Sequence, residues 1–364
     1  MLLSLLILFS SLLISYLISR KFFKTELFAP SLLFGIIVFS YLLFLSSTVL
    51  GFGTNSILAT IAICIIAAIF LIGKVPLNDL FSSKQFFSKD SLLIFLFSLL
   101  ILGFAATKAI DFSNGMNVVS QDWATHLGIA NTLAEGNFPM QYPYLSDLPF
   151  SYYYFGHLFI ASLVKGGIGI FLAYPLIVIL VISALISGFY ATTRDLFKSK
   201  LGGLLSIFLM FFSSTCTACL INDSSWFSPF FSFSANSGFP IRPLLLSFAF
   251  NQLPMAFSFL FFAVFLKAFL ELEKDKRILL MGLLVALLPM FGAFFFALSF
   301  ILLAYLILQG KNLSFWKIGL SSLIVGWLQF FLLYKEKAGA ASTLQFVHVE
   351  LYAHSQSIID LILF

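Results

Sequence analysis

Uninterrupted apolar runs recur along this chain at about 17 to 25 residues, the length an α-helix needs to cross a bilayer. Such runs leave few folds open. In hydrocarbon every backbone N–H and C=O must be satisfied within the segment, so each run becomes a helix. On that rule the spans fall at about 2–19, 27–48, 56–73 and 91–110, then 171–191, 201–219 and 244–269. A close pair at 278–290 and 293–309 and a last span at 314–334 complete the set. Pro289 and Gly292 mark a turn inside the close pair and make it a tight hairpin. Only 10% of residues are charged, against about 25% in a soluble domain. The expected fold is all-α: a polytopic transmembrane helical bundle of about 10 spans, with extracytoplasmic juxtamembrane helices.

The net charge of +5 is no nucleic-acid signal here, because what matters in a membrane protein is where the basic residues sit. Taking 20–25, 74–90, 192–200, 267–277 and 310–317 as cytoplasmic puts fifteen Lys and Arg inside. It leaves five outside: Lys108, Lys165, Arg242, Lys335 and Lys337. The split puts the 111–170 loop outside, together with all four histidines, His126, His157, His348 and His354. No basic region precedes the first apolar run, and Arg20, Lys21 and Lys24 follow it, so it reads as a retained membrane helix and not a signal peptide. Three cysteines make no disulfide framework, and Cys216 and Cys219 form a lone CxxC at a helix end. Three regions follow: 1–90 with three spans, a membrane core at 91–334 with outer loops 111–170 and 213–243, and an outer C-terminal segment at 335–364. That last segment ends in I-I-D-L-I-L-F, which reads as the start of another membrane element.

The longest polar interruption runs from Ser120 to His157. Within it, 121–135 reads as a short helix with an apolar stripe of Trp123, Leu127, Ala130 and Ala134. Gly136 is placed to cap that helix and Pro139 to stop its continuation. Asp122 and His126, four residues apart, share a face at the edge of the stripe. A carboxylate beside an imidazole at a membrane surface can act as a general base pair or bind a divalent metal. The plainer reading is an Asp favoured by the helix dipole with a solvated His beside it. Tyr152 to Leu163 is apolar but short, and glycines close it. As a span it would invert the later charge pattern, so it is expected to lie in the outer interface, with Tyr152, Tyr153 and Tyr154 at the headgroups.

The D-x-x-x-H of Asp122 and His126, followed by a small apolar helix ending in E-G-N-F-P, resembles the first outer loop of the type-C integral-membrane glycosyltransferases. That superfamily includes the protein O-mannosyltransferase-like enzymes. The tract P-F-S-Y-Y-Y-F-G-H is similar to the YYYFGH signature of a poorly characterised archaeal and chloroflexi membrane-protein family often grouped with them. The resemblance covers about 91–310 and is clearest over 120–200. It implies transfer of a sugar from a polyprenyl-phosphate-linked donor to an extracytoplasmic acceptor, with Asp122 acting in catalysis and His126 beside it. Glycosyl transfer passes through an oxocarbenium-like state that a nearby carboxylate assists. The phosphate leaving group needs positive charge more than a proton. Arg242, at the outer mouth of a span, and Lys108, at the outer end of the span before the loop, are the candidates, with snorkelling to the headgroups as their plainer role. Tyr153, His157 and Asp223 complete the substrate-binding set under this resemblance. Asp223, next to Asn222, is the acid available in the second outer loop for a metal or acceptor site, or else a turn residue. The cofactor is open, with a divalent metal ion held by Asp122, His126 and Asp223 as one candidate. The partners expected are membrane lipids and the lipid-linked donor, and no nucleic acid.

Two other classes compete. A transporter or lipid-carrier flippase places ionisable residues inside the membrane and breaks helices in paired repeats. A non-catalytic membrane scaffold needs neither. The acids of this chain cluster in loops, which favours an enzyme at the outer face of the cytoplasmic membrane.

Overall fold

A computed structural model describes residues 1–73, 86–109, 121–140, 154–209, 253–272 and 274–287, with 291, 301, 303–305 and 319–328. The described residues are helical, with no strand among them. In chain order the helices are α1 (Leu2–Phe22), α2 (Phe28–Leu50), α3 (Thr54–Ile72), α4 (Lys89–Ala109), α5 (Gln121–Ala134), α6 (Phe155–Lys165) and α7 (Ile170–Phe197). They continue with α8 (Lys200–Leu209), α9 (Leu253–Glu271), α10 (Lys274–Leu287) and α11 (Gly319–Leu328). Four of these, α1, α2, α3 and α7, are long and apolar enough to cross a membrane. The other expected spans lie wholly or partly outside the described residues. Helix α7 overruns its expected end at 191 and continues to Phe197. Thr192 and Thr193 donate to the carbonyls of Gly188 and Phe189, so these polar residues are satisfied within the helix.

Small residues set how closely the first helices approach. Ser4, Ser11 and Ser15 lie on one buried face of α1. Ser11 and Ser15 donate to the carbonyls of Leu8 and Leu12 at 2.9 Å, which satisfies the hydroxyls and leaves a low ridge. Gly35 of α2 fits against that ridge: a Cβ there would lie 2.9 Å from the Ser11 carbonyl oxygen. Close contact between small residues is how helices associate in lipid, where hydrophobic burial gives no driving force between them. Gly188 brings α7 equally near Ala29 of α2.

Among the described residues, the basic segments around the α1–α2 turn, the start of α4, the end of α7 and the end of α9 gather at one end of the bundle. Arg194, near the end of α7, reaches Glu26 in the α1–α2 turn at 3.6 Å and donates to Ser88 Oγ at 2.9 Å. Lys200 pairs with Asp90 at 2.8 Å, and Lys267 lies over the Phe23 ring. Phe28 meets Phe86, Phe87 and Phe95 on the same side. The opposite end holds α5 and α6, where Phe138 meets Phe44 and Phe52.

One expectation changes. Helix α6, expected exposed in the outer interface, is enclosed by protein. Phe155 to Leu163 are buried without a break, and α1, α2, α5, α7 and α9 surround them. Phe155 rests on Tyr41 and Phe44, Phe159 on Phe39, and Gly156 accepts the Phe257 ring at a distance that leaves no room for a Cβ. A largely apolar helix needs its sides covered by lipid or by protein, and around α6 protein covers them. Its 11 residues extend only ~16 Å, against a hydrocarbon core of about 30 Å, so it is still no span. Tyr154, expected at the headgroups, is buried and precedes the first turn of α6. Burial pushes its phenol up to about 12. Tyr152 and Tyr153 lie outside the described residues.

Candidate functional site

The site is built from two short helices. Helix α5 stops where its sequence says it should: Gly136 takes φ +101°, its N–H donates to the Leu133 carbonyl at 3.0 Å, and Asn137 N–H reaches back to Thr132 at 3.0 Å. That pair of bonds is a Schellman cap, which needs a residue in the left-handed region and so favours glycine. Helix α6 ends the same way at Gly167, φ +102°, with bonds from Gly167 to Val164 and from Ile168 to Leu163. Two hard stops fix the lengths of both helices and therefore which residues face each other.

His126 and His157 face each other. His126 Nδ1 and His157 Nε2 are 2.9 Å apart, with ring centroids 5.0 Å apart and planes inclined by 23°. His126 is 4% exposed and His157 fully buried. A third ring, Tyr174 in the first turns of α7, lies 15° from parallel to His126 at 6.3 Å. The sequence stripe is rotated slightly in the structure: the buried face of α5 is His126, Ile129, Ala130, Leu133 and Ala134. His126 is part of that face and is not solvated at its edge. Asp122 stands one turn before His126 on the same helix.

The chemistry of the pair follows from its setting. A hydrogen bond between two imidazoles needs one nitrogen as donor and the other as acceptor. Burial, and then the repulsion of any positive charge on His126, hold the His157 imidazole well below the ordinary histidine range. His157 is therefore neutral at physiological pH. A pH dependence of stability follows. Above about 6.5 both folded and unfolded His157 are neutral, and this group gives no slope. Below it the unfolded chain binds a proton that the folded chain refuses, so stability falls as pH falls, by up to about 1.4 kcal/mol per pH unit. The thermal midpoint of the detergent-solubilised protein is expected to drop between pH 6.5 and 5, and His157→Gln to flatten that drop. An equal drop in the variant would remove His157 as its source.

A metal needs more than this pair. A tetrahedral ion with bonds of about 2.0–2.1 Å would hold two nitrogens roughly 3.3 Å apart and ask for further ligands. Among the described residues no group of three His, Cys, Asp or Glu side chains converges.

Of the residues singled out in the sequence, the structure brings two together, His126 and His157. The side chains of Asp122 and Lys108 and the whole of Tyr153, Asp223 and Arg242 lie outside the described residues. Tyr174 was not singled out. Its one local signal is a polar ring beside Pro175 at the start of an otherwise apolar span. No family model, curated protein or solved structure matches this chain.

Proposed function

We propose that the protein is a membrane glycosyltransferase that moves a sugar from a polyprenyl-phosphate-linked donor to an acceptor on the outer face of the cytoplasmic membrane. One observation carries the reading. The two tracts behind the resemblance, D-x-x-x-H and YYYFGH, each supply a histidine, and those histidines meet in one buried hydrogen bond. Two motifs that converge on one point read as parts of a single site. In this scheme Asp122 takes the acceptor proton or steadies the oxocarbenium-like centre, and His126 works beside it. Arg242 and Lys108 neutralise the departing phosphate. A divalent ion, if the enzyme uses one, would serve the same phosphate from Asp122, His126 and Asp223.

Transfer of radiolabelled sugar from membrane polyprenyl phosphates tests this, comparing wild type with Asp122→Asn at matched membrane expression. The expected result is a labelled product with wild type and a loss of about 100-fold in the variant, the scale of general-base catalysis. Equal product from both would remove Asp122 from the chemistry.

A transporter or lipid-carrier flippase is a second reading, favoured by the short helix α6 set inside the bundle with His157 on it, paired to His126 of α5. Buried ionisable groups and broken helices mark transport paths. Labelled carrier that changes leaflet without being consumed would select this reading.

A further inference from the structure

The same site carries an assignment for His157 that differs from substrate binding. We infer that His157 is a positioning residue that holds the His126 ring through Nδ1 and fixes its tautomer, so that His126 acts through Nε2. For the action of His126 this rests on the transferase reading; the pairing itself does not.

Three observations support it. His157 is fully buried, in the first turn of a helix enclosed on every side, which suits a fixed support better than a group that meets substrate. Its Nε2 lies 2.9 Å from His126 Nδ1, so the two rings share one proton. If His126 donates from Nδ1, its Nε2 carries a lone pair and can act as a base. If His157 donates from Nε2, His126 carries its proton on Nε2 and can act as an acid. Either way the tautomer of one ring dictates that of the other, as the orienting partner of a catalytic histidine does.

The mount of the supporting ring is stiff. Gly156, next to His157, lets the Phe257 ring approach to where a Cβ would be 2.6 Å from it. Phe155 on the other side is clasped by Tyr41, Phe44 and Phe291. At the far end of α6, Ser4 donates to the Leu163 carbonyl at 3.0 Å, and Gly166 lies against Ser4. The Tyr174 ring lies nearly parallel to His126, its centroid 6.3 Å away. Positioned side chains must keep their geometry to a fraction of an ångström, and rigid packing behind them supplies that.

The test uses the full chain in nanodiscs, labelled with 15N-histidine, and reads the ring nitrogens by NMR before any activity is measured. Wild type is expected to show a 15N–15N coupling across one hydrogen bond between Nδ1 of one histidine and Nε2 of another, assigned by its loss in His126→Asn. In His157→Leu the His126 nitrogens should move to the averaged shifts of an imidazole exchanging between tautomers. In His157→Gln, whose amide can take the place of Nε2, they should stay near wild type. Transfer should follow: kcat lower by ~10–100-fold in His157→Leu with donor KM unchanged, and largely restored in His157→Gln. No coupling in wild type, or a His126 tautomer indifferent to His157→Leu, would overturn the assignment. If the leucine variant does not fold, wild type and His157→Gln still decide. Coupling present with no transfer from any donor would support the pairing while sinking the transferase reading.

Discussion

Leucine in place of Gly35 is expected to lower the thermal midpoint of the solubilised protein by about 2–5 °C. The reason is that the obstacle is backbone. A Cβ at position 35 would lie 2.9 Å from the Ser11 carbonyl oxygen and 3.2 Å from its carbon, and neither can swing aside as a side chain can. Ser15 Oγ, 3.0 Å from the same point, is held by its bond to Leu12. Overpacking a tight contact costs about 1–3 kcal/mol when side chains can shift, and the leucine also forces the α1 and α2 axes apart. That separation reaches the site, because Phe39, Tyr41 and Phe44 of α2 and Ser4 of α1 are what α6 rests on. The His126–His157 coupling should therefore weaken along with stability. Gly103 on α4 is the control: nothing lies within 4 Å of its Cβ position, so leucine there should cost nothing measurable. Equal midpoints for the two variants would mean that α1 and α2 do not meet at Gly35.

Arg194→Met is expected to cost about 3 kcal/mol from the opposite end of the bundle. The Glu26 side chain is 5% exposed and takes a positive φ of 55°, an uncommon conformation for a residue other than glycine. It accepts from Ser88 N–H at 3.1 Å and faces the Arg194 guanidinium at 3.6 Å. Arg194 in turn holds Ser88 Oγ and, at 2.8 Å, Asp195. Three segments meet on this group: the α1–α2 turn, the start of α4 and the end of α7. Methionine keeps the bulk of arginine but leaves a buried carboxylate with its countercharge gone, and breaking a buried pair from one side typically costs about 3–5 kcal/mol. The lower end applies because the Arg194 side chain is 19% exposed and Glu26 keeps the Ser88 bond. The cycle is closed by Glu26→Gln and the double variant. Removing the stranded charge should recover much of the loss, so the double variant should be more stable than Arg194→Met alone. Strictly additive losses would show that the two residues do not interact.

The sequence by itself determined the helices and where several of them stop. Runs of apolar residues place α1, α2 and α3 within a few positions of their observed ends, because in lipid an unbroken apolar run has no alternative to a helix. Gly136 ends α5 because the cap depends on one residue's backbone freedom, a purely local property. Most of the described basic residues lie near helix ends for an equally local reason, the cost of placing charge in hydrocarbon. Asp122, His126 and His157 were legible as candidates because polar groups stand out in so apolar a chain. What joins the two histidines was not legible. In a soluble helix one apolar face marks the core, but here nearly every face is apolar, so periodicity cannot tell a lipid-facing side from a buried one. That is why α6 was expected at the interface and is found enclosed, and why His126 was placed at the edge of a stripe that it helps to form. The contact between His126 and His157, 31 residues apart, and the one between Glu26 and Arg194 depend on how closely whole helices approach. Small residues such as Gly35, Gly156 and Gly188 set that approach, each through the particular neighbour that only the tertiary structure brings to it.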